Sequence, residues 1–110
     1  CYTYVDDLIE ATMMLINDKN THGDFFNVGN PEEEYSVKEL SKIILDIAGK
    51  KDYPVEHVNR SAYGKSYEDP DRRVPDISKI KEAIGWAPKT DIYDGLSRVY
   101  DYQNTGNRTK

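Results

Sequence analysis

The stretch that most constrains the fold is Ser36-Val37-Lys38-Glu39, followed by Leu40, Ile43, Ile44 and Ile47 and ended by Gly49. A serine three residues before a glutamate lets each side chain satisfy an amide that the first helical turn would otherwise leave orphaned. The four apolar residues recur at i, i+3, i+4 and i+7, which is one face of an α-helix. A glycine just beyond them suits the left-handed residue that closes many helices. A helix with a fixed register is therefore predicted between Ser36 and Gly49.

Weaker signals place the other elements around it. Tyr2 to Val5 have strand propensity. Asp6 or Asp7 can cap a following helix whose apolar positions include Leu8, Ile9, Thr12, Leu15 and Ile16, ending near Lys19. Asp24 to Val28 reads as a short buried strand, closed by Asn27-Val28-Gly29-Asn30-Pro31, in which Gly29 is free to adopt a positive φ. Glu32, Glu33 and Glu34 read as a solvated turn before the capped helix, and Pro54 to Val58 as a further short strand. Asp76 or Ser78 can cap a short helix bearing Ile77, Ile80 and Ile84 and stopped by Gly85. Asp91 caps a last helix with Ile92, Leu96, Val99 and Gln103 on one side, and Trp86 is expected to pack these last two helices together. The predicted class is α/β, with about four helices and two or three short strands over residues 1–103 and a polar tail over 104–110.

From Asn59 to Pro75 the apolar periodicity disappears. Tyr63-Gly64-Lys65-Ser66-Tyr67-Glu68-Asp69-Pro70-Asp71-Arg72-Arg73-Val74-Pro75 is polar, aromatic and rich in proline. A loop of that length is uncommon in a compact domain unless it binds something or is disordered. Tyr63 and Lys65 are expected to shape it.

Charge and composition exclude several functions. The net charge of -5 leaves no surplus of Lys and Arg for a nucleic-acid phosphate backbone. Cys1 is the only cysteine, so an intrachain disulfide and a cysteine metal cluster are both ruled out, and a reducing, cytoplasmic setting is expected. There is no run of about 18 apolar residues to cross a membrane. His22 and His57 are isolated, so neither a metal site nor a serine-histidine triad is predicted. The seven glycines nowhere form the G-x-G-x-x-G turn that lets a backbone approach a dinucleotide pyrophosphate. None of the nine tyrosines has a lysine four residues later to lower its phenol pKa. The hydrophobic fraction, 37%, is below the roughly 45 to 50% usual for globular domains. Stability drawn from a partner surface is the expectation. The opening Cys1-Tyr2-Thr3, without methionine, suggests a chain that starts elsewhere.

Five strings occur in a recognisable order: Tyr4-Val5-Asp6-Asp7-Leu8, Phe26-Asn27-Val28-Gly29-Asn30-Pro31, Ser36-Val37-Lys38-Glu39-Leu40, Arg73-Val74-Pro75-Asp76-Ile77 and Ile84-Gly85-Trp86-Ala87-Pro88-Lys89. Together they resemble the C-terminal portion of extended short-chain dehydrogenase/reductases, the NAD-dependent epimerase/dehydratase family. The loop, with Tyr67 and then Arg72-Arg73-Val74-Pro75, narrows the resemblance to the branch of UDP-glucuronate decarboxylases and UDP-apiose/xylose synthases. The resemblance implies a substrate-binding lobe that normally packs on a Rossmann half absent from this chain, within a homodimeric parent. NAD in that parent would oxidise C4 of a UDP-sugar, and the 4-keto acid would then lose carbon dioxide. This chain alone would bind no cofactor and turn nothing over. Carried over position by position, Tyr67 would contact the nucleotide-sugar. Arg73 would act at the reacting end, near the carboxylate or pyrophosphate, with Arg72 as its neighbour in binding. A planar, permanently charged guanidinium suits such anions. Two alternatives remain open: the C-terminal portion of a 4-epimerase or 4,6-dehydratase, and a non-catalytic interaction domain.

Overall fold

The computed structural model of the chain describes residues 1–63 and 71–105. Four α-helices order these residues: α1 (Val5–Asn17), α2 (Val37–Ile47), α3 (Ser78–Ile84) and α4 (Ile92–Asn104). Short 3-10 turns lie at Lys19–Thr21 and Arg60–Tyr63. In α2 the reciprocal cap forms as predicted. Glu39 N donates to Ser36 Oγ at 3.2 Å, and Ser36 N donates to Glu39 Oε2 at 2.8 Å. Gly49, at φ +69, turns the chain, and Lys50 N reaches back to the Leu45 carbonyl at 2.8 Å. Asp91 caps α4 by accepting from Asp94 N. Gly85, at φ +69, ends α3.

The predicted strands do not form among the described residues. A strand is defined by its ladder, and these segments find no ladder partner. Tyr2 N donates to the Glu33 carbonyl, but Phe25 N turns to its neighbour's side chain, Asp24 Oδ1. The segments therefore run as irregular chain between helices.

The first helix differs from expectation in its cap and in its buried face. It begins at Val5 with Tyr4 as N-cap and no side-chain cap, so Asp6 and Asp7 lie in its first turn. Asp7 is 4% exposed and serves a distant segment. Its Oδ2 accepts from Thr90 N at 2.9 Å and Lys89 N at 3.1 Å, and its Oδ1 accepts from Thr90 Oγ1 at 3.1 Å. One side chain thus ties α1 to the strap between α3 and α4. Asp7→Ala would strand these donors, and a loss of roughly 3 kcal/mol is expected in urea unfolding. A loss below about 1 kcal/mol would mean that water replaces the carboxyl group.

Ala11, Ile80 and Trp86 form the core, with Met14, Leu15, Phe26, Val28, Ile77 and Ile84 packed against it. Trp86 therefore joins α3 to α1, where the sequence had suggested α3 and α4. The reason is geometric. The face of α1 bearing Asp7 and Ala11 turns inward, leaving Leu8, Ile9, Met13 and Ile16 between 45 and 58% exposed. Helix α2 packs instead beside α4. No helix among the described residues is long and apolar enough to cross a membrane.

Candidate functional site

The Asn27 to Pro31 turn, the first residues of the chain and the segment 71–76 converge on one surface. Thr3 Oγ1 accepts from Asn30 N at 3.0 Å, and buried Asn30 donates through Nδ2 to the Thr90 carbonyl and accepts from Glu32 N. Gly29 is needed here for proximity: it has no positive φ, contrary to expectation, but a Cβ built on it would lie 2.7 Å from Pro75 Cγ. The chain at 73–75 is seated directly on that glycine. Cys1 N also donates to the Arg73 carbonyl at 3.3 Å.

Two hollows meet at Arg73. One, of about 550 Å³, is lined by Thr3, Asn27, Gly29, Pro75 and Asp76 among others. The other, of about 380 Å³, holds Glu34, Ser36, Glu39, Asp71 and Arg72. Arg73 lines both and is exposed. Among the described residues its guanidinium enters no salt bridge. Arg72 is committed elsewhere: its Nε and Nη2 grip the two carboxylate oxygens of Glu34 at 2.5 and 3.0 Å. Tyr67 and Lys65 lie outside the described residues.

A third, apolar hollow of about 290 Å³ runs between Tyr2 to Val5, α2 and α4. Its only charged lining residue is Asp91, already the cap of α4. This hollow offers no cation, whereas the hollows at Arg73 present a guanidinium that makes no salt bridge among the described residues, so they are the better site for an anionic ligand. No group of three or more His, Cys, Asp or Glu side chains suited to a metal ion occurs among the described residues.

Sequence reasoning missed the acids that build this surface. Glu33 and Glu34 are not merely a solvated turn. Glu33 Oε2 accepts from Ile92 N at 3.0 Å, the start of α4, while Glu34 holds Arg72. A run of three glutamates 38 positions before two arginines hints at pairing, but nothing local assigns the partners.

Several carboxyls titrate below their ordinary values. Glu34 is lowered mainly by its hydrogen bond from Arg72, Glu39 by the Ser36 backbone, Asp24 by Lys79 and Asp76 by the Ser78 backbone. Because the folded values are depressed, their stabilisation is fully present above the ordinary values of 4.5 for Glu and 3.8 for Asp. It is lost as pH falls through the lower folded values, where the unfolded chain binds more protons. Denaturation midpoints should hold from pH 7 to 5 and fall toward pH 3. A midpoint unchanged at pH 3 would contradict these contacts.

Comparison with known proteins finds the chain similar to one part of several longer proteins, among them UDP-sugar synthases. It is a homologue of part of the UDP-apiose/xylose synthases and of ArnA, which is consistent with the extended short-chain dehydrogenase/reductase branch that its motifs resemble. It is 33% identical over 112 residues to UDP-D-apiose/UDP-D-xylose synthase 2 of Arabidopsis thaliana, a match covering 94% of this chain and 29% of that protein. The rice (Oryza sativa subsp. japonica) UDP-D-apiose/UDP-D-xylose synthase is 35% identical over 111 residues, covering 94% and 28%. The bifunctional polymyxin resistance protein ArnA of Wigglesworthia glossinidia brevipalpis is 34% identical over 113 residues, covering 93% and 17%. The crystal structure of PbgP3 protein from Burkholderia pseudomallei superposes with a TM-score of 0.68 at 30% identity, covering 96% of this chain and 30% of that one. The chain thus spans less than a third of the length of each. No family model matches it.

Proposed function

We propose that this chain is the nucleotide-sugar-binding part of a longer NAD-dependent enzyme resembling UDP-glucuronate decarboxylases. The observation that carries the reading is Arg73, an exposed arginine with no salt bridge among the described residues, at the junction of two hollows. It lies in a chain homologous to UDP-sugar synthases. An unengaged guanidinium can donate two parallel hydrogen bonds to a carboxylate or phosphate without first breaking an internal pair. Tyr67, in the same stretch of sequence, is the proposed second contact to the nucleotide-sugar.

NAD would supply the hydride acceptor for oxidation at C4. This chain does not fit it: its seven glycines nowhere fall in the G-x-G-x-x-G spacing of a pyrophosphate-binding turn. The cofactor therefore belongs to the remainder of the parent, as does the tyrosine-lysine pair that would move the C4 hydroxyl proton. What this chain contributes is binding and orientation of the acidic sugar. The exposed apolar face of α1, with Leu8, Ile9, Met13 and Ile16, is of the kind that packs against another protein surface. The rest of the parent is its proposed partner.

The test is product analysis. The full-length parent, incubated with UDP-glucuronate and NAD, should yield a UDP-pentose or its 4-keto form by NMR. UDP-galacturonate would instead identify a 4-epimerase. Turnover of a neutral UDP-hexose to a 4-keto-6-deoxy sugar, with UDP-glucuronate left intact, would identify a 4,6-dehydratase. This chain alone should show no NAD binding by calorimetry, and a measurable affinity would contradict the division of labour.

A further inference from the structure

The bidentate pair between Arg72 and Glu34 lies on the surface, with the two side chains 74 and 39% exposed. Such pairs contribute little to stability because water competes for both charges. Orientation is a different matter. A fork that meets both carboxylate oxygens fixes the plane and direction of the arginine side chain. The carboxylate is itself mounted on a turn held at several points. Glu33 N donates to the Asn30 carbonyl, the Glu33 carbonyl accepts from Tyr2 N, and Ser36 begins the reciprocal cap of α2.

The chain on the other side of Arg73 is held too, by the seating of Pro75 on Gly29. Arg73 therefore sits between two anchors. Arg72 lines only the hollow that contains Glu34, whereas Arg73 reaches both. We propose that Glu34 is a positioning residue that, by clamping Arg72, sets the direction in which Arg73 is presented to the anionic group of the substrate. Arg72 thereby becomes part of the mount, in place of a second substrate contact. The inference rests on the proposed role of Arg73.

The test is steady-state kinetics of the full-length parent with UDP-glucuronate. Glu34→Gln should lower kcat roughly tenfold, the cost of a misdirected contact to the reacting group. Its thermal midpoint and circular dichroism should stay at wild-type values. Arg72→Gln should give the same loss, and the double variant should be no worse than either single one. The reversed pair, Glu34→Arg with Arg72→Glu, should recover most of the activity. Arg73→Ala is the control. If it is silent, the role of Arg73 fails and this inference with it. If it is impaired while Glu34→Gln turns over normally, only the inference fails. Additive losses from Glu34→Gln and Arg72→Gln would likewise overturn it, because they would make Arg72 an independent substrate contact. Should a Glu34 variant lose its fold, Arg72→Gln alone decides: normal kcat overturns the clamp, and a tenfold loss at unchanged midpoint supports it.

Discussion

Trp86→Ala is expected to destabilise the folded chain by roughly 4 kcal/mol, within the range for removing a large aromatic from a core. Trp86 is 1% exposed, and the core around it is small, with only Ala11 and Ile80 among the described residues sharing full burial. A chain of this length has a total stability on the order of 5 to 15 kcal/mol, so the substitution removes a large share of it. A fall in thermal midpoint of about 15 to 30 °C should follow. The indole Nε1 has no hydrogen-bond partner among the described residues. Trp86→Phe therefore gives up volume but breaks no hydrogen bond and removes an unsatisfied buried donor. Its loss should be less than half that of alanine. Equal losses for the two variants would show that the indole nitrogen is satisfied after all.

The second large effect belongs to Arg73. Arg73→Ala in the full-length parent should reduce kcat/KM for the acidic nucleotide-sugar by at least about 100-fold, the usual consequence of deleting a charged donor from a reacting centre. The thermal midpoint should barely move, because the side chain is exposed and makes no salt bridge among the described residues. Arg73→Lys should recover only part of the loss, since a point charge cannot reproduce a two-pronged contact. Full activity in Arg73→Ala would remove the residue from the site.

How much could be read in advance depended on the range of the forces involved. The cap of α2, the Asp91 cap of α4 and the glycine ends of α2 and α3 involve residues at most five positions apart, and all four were legible. The strands were not, because propensity identifies residues that tolerate an extended backbone but not whether a partner lies beside them. The face of α1 was misjudged for a related reason. Leu8, Ile9 and Ile16 make the more hydrophobic stripe, yet Ala11 is the residue small enough to approach Trp86 and Ile80 closely. Leu15, on the predicted stripe, does pack on that core, while Leu8, Ile9 and Ile16 stay exposed.

The candidate site shows the same division. Arg73 stood out because its string resembles a known motif, but its neighbours gained their roles only from contacts across the chain. Asp7 meets Thr90 over 83 positions, and Glu34 meets Arg72 over 38. Both acids had simple local readings, as a helix cap and a solvated turn. What overrode the reading of Glu34 was the close approach of the Gly29 turn to Pro75, which brings the 72–75 segment alongside, and for Asp7 it was the strap at Lys89 and Thr90.

Arg73 is proposed to receive the anionic part of a nucleotide-sugar. The most direct measurement is a crystal structure of the full-length parent with UDP-glucuronate bound. The guanidinium of Arg73 should then lie at hydrogen-bond distance, about 2.7 to 3.2 Å, from a carboxylate or pyrophosphate oxygen. A ligand bound elsewhere, with Arg73 still facing solvent, would contradict the claim.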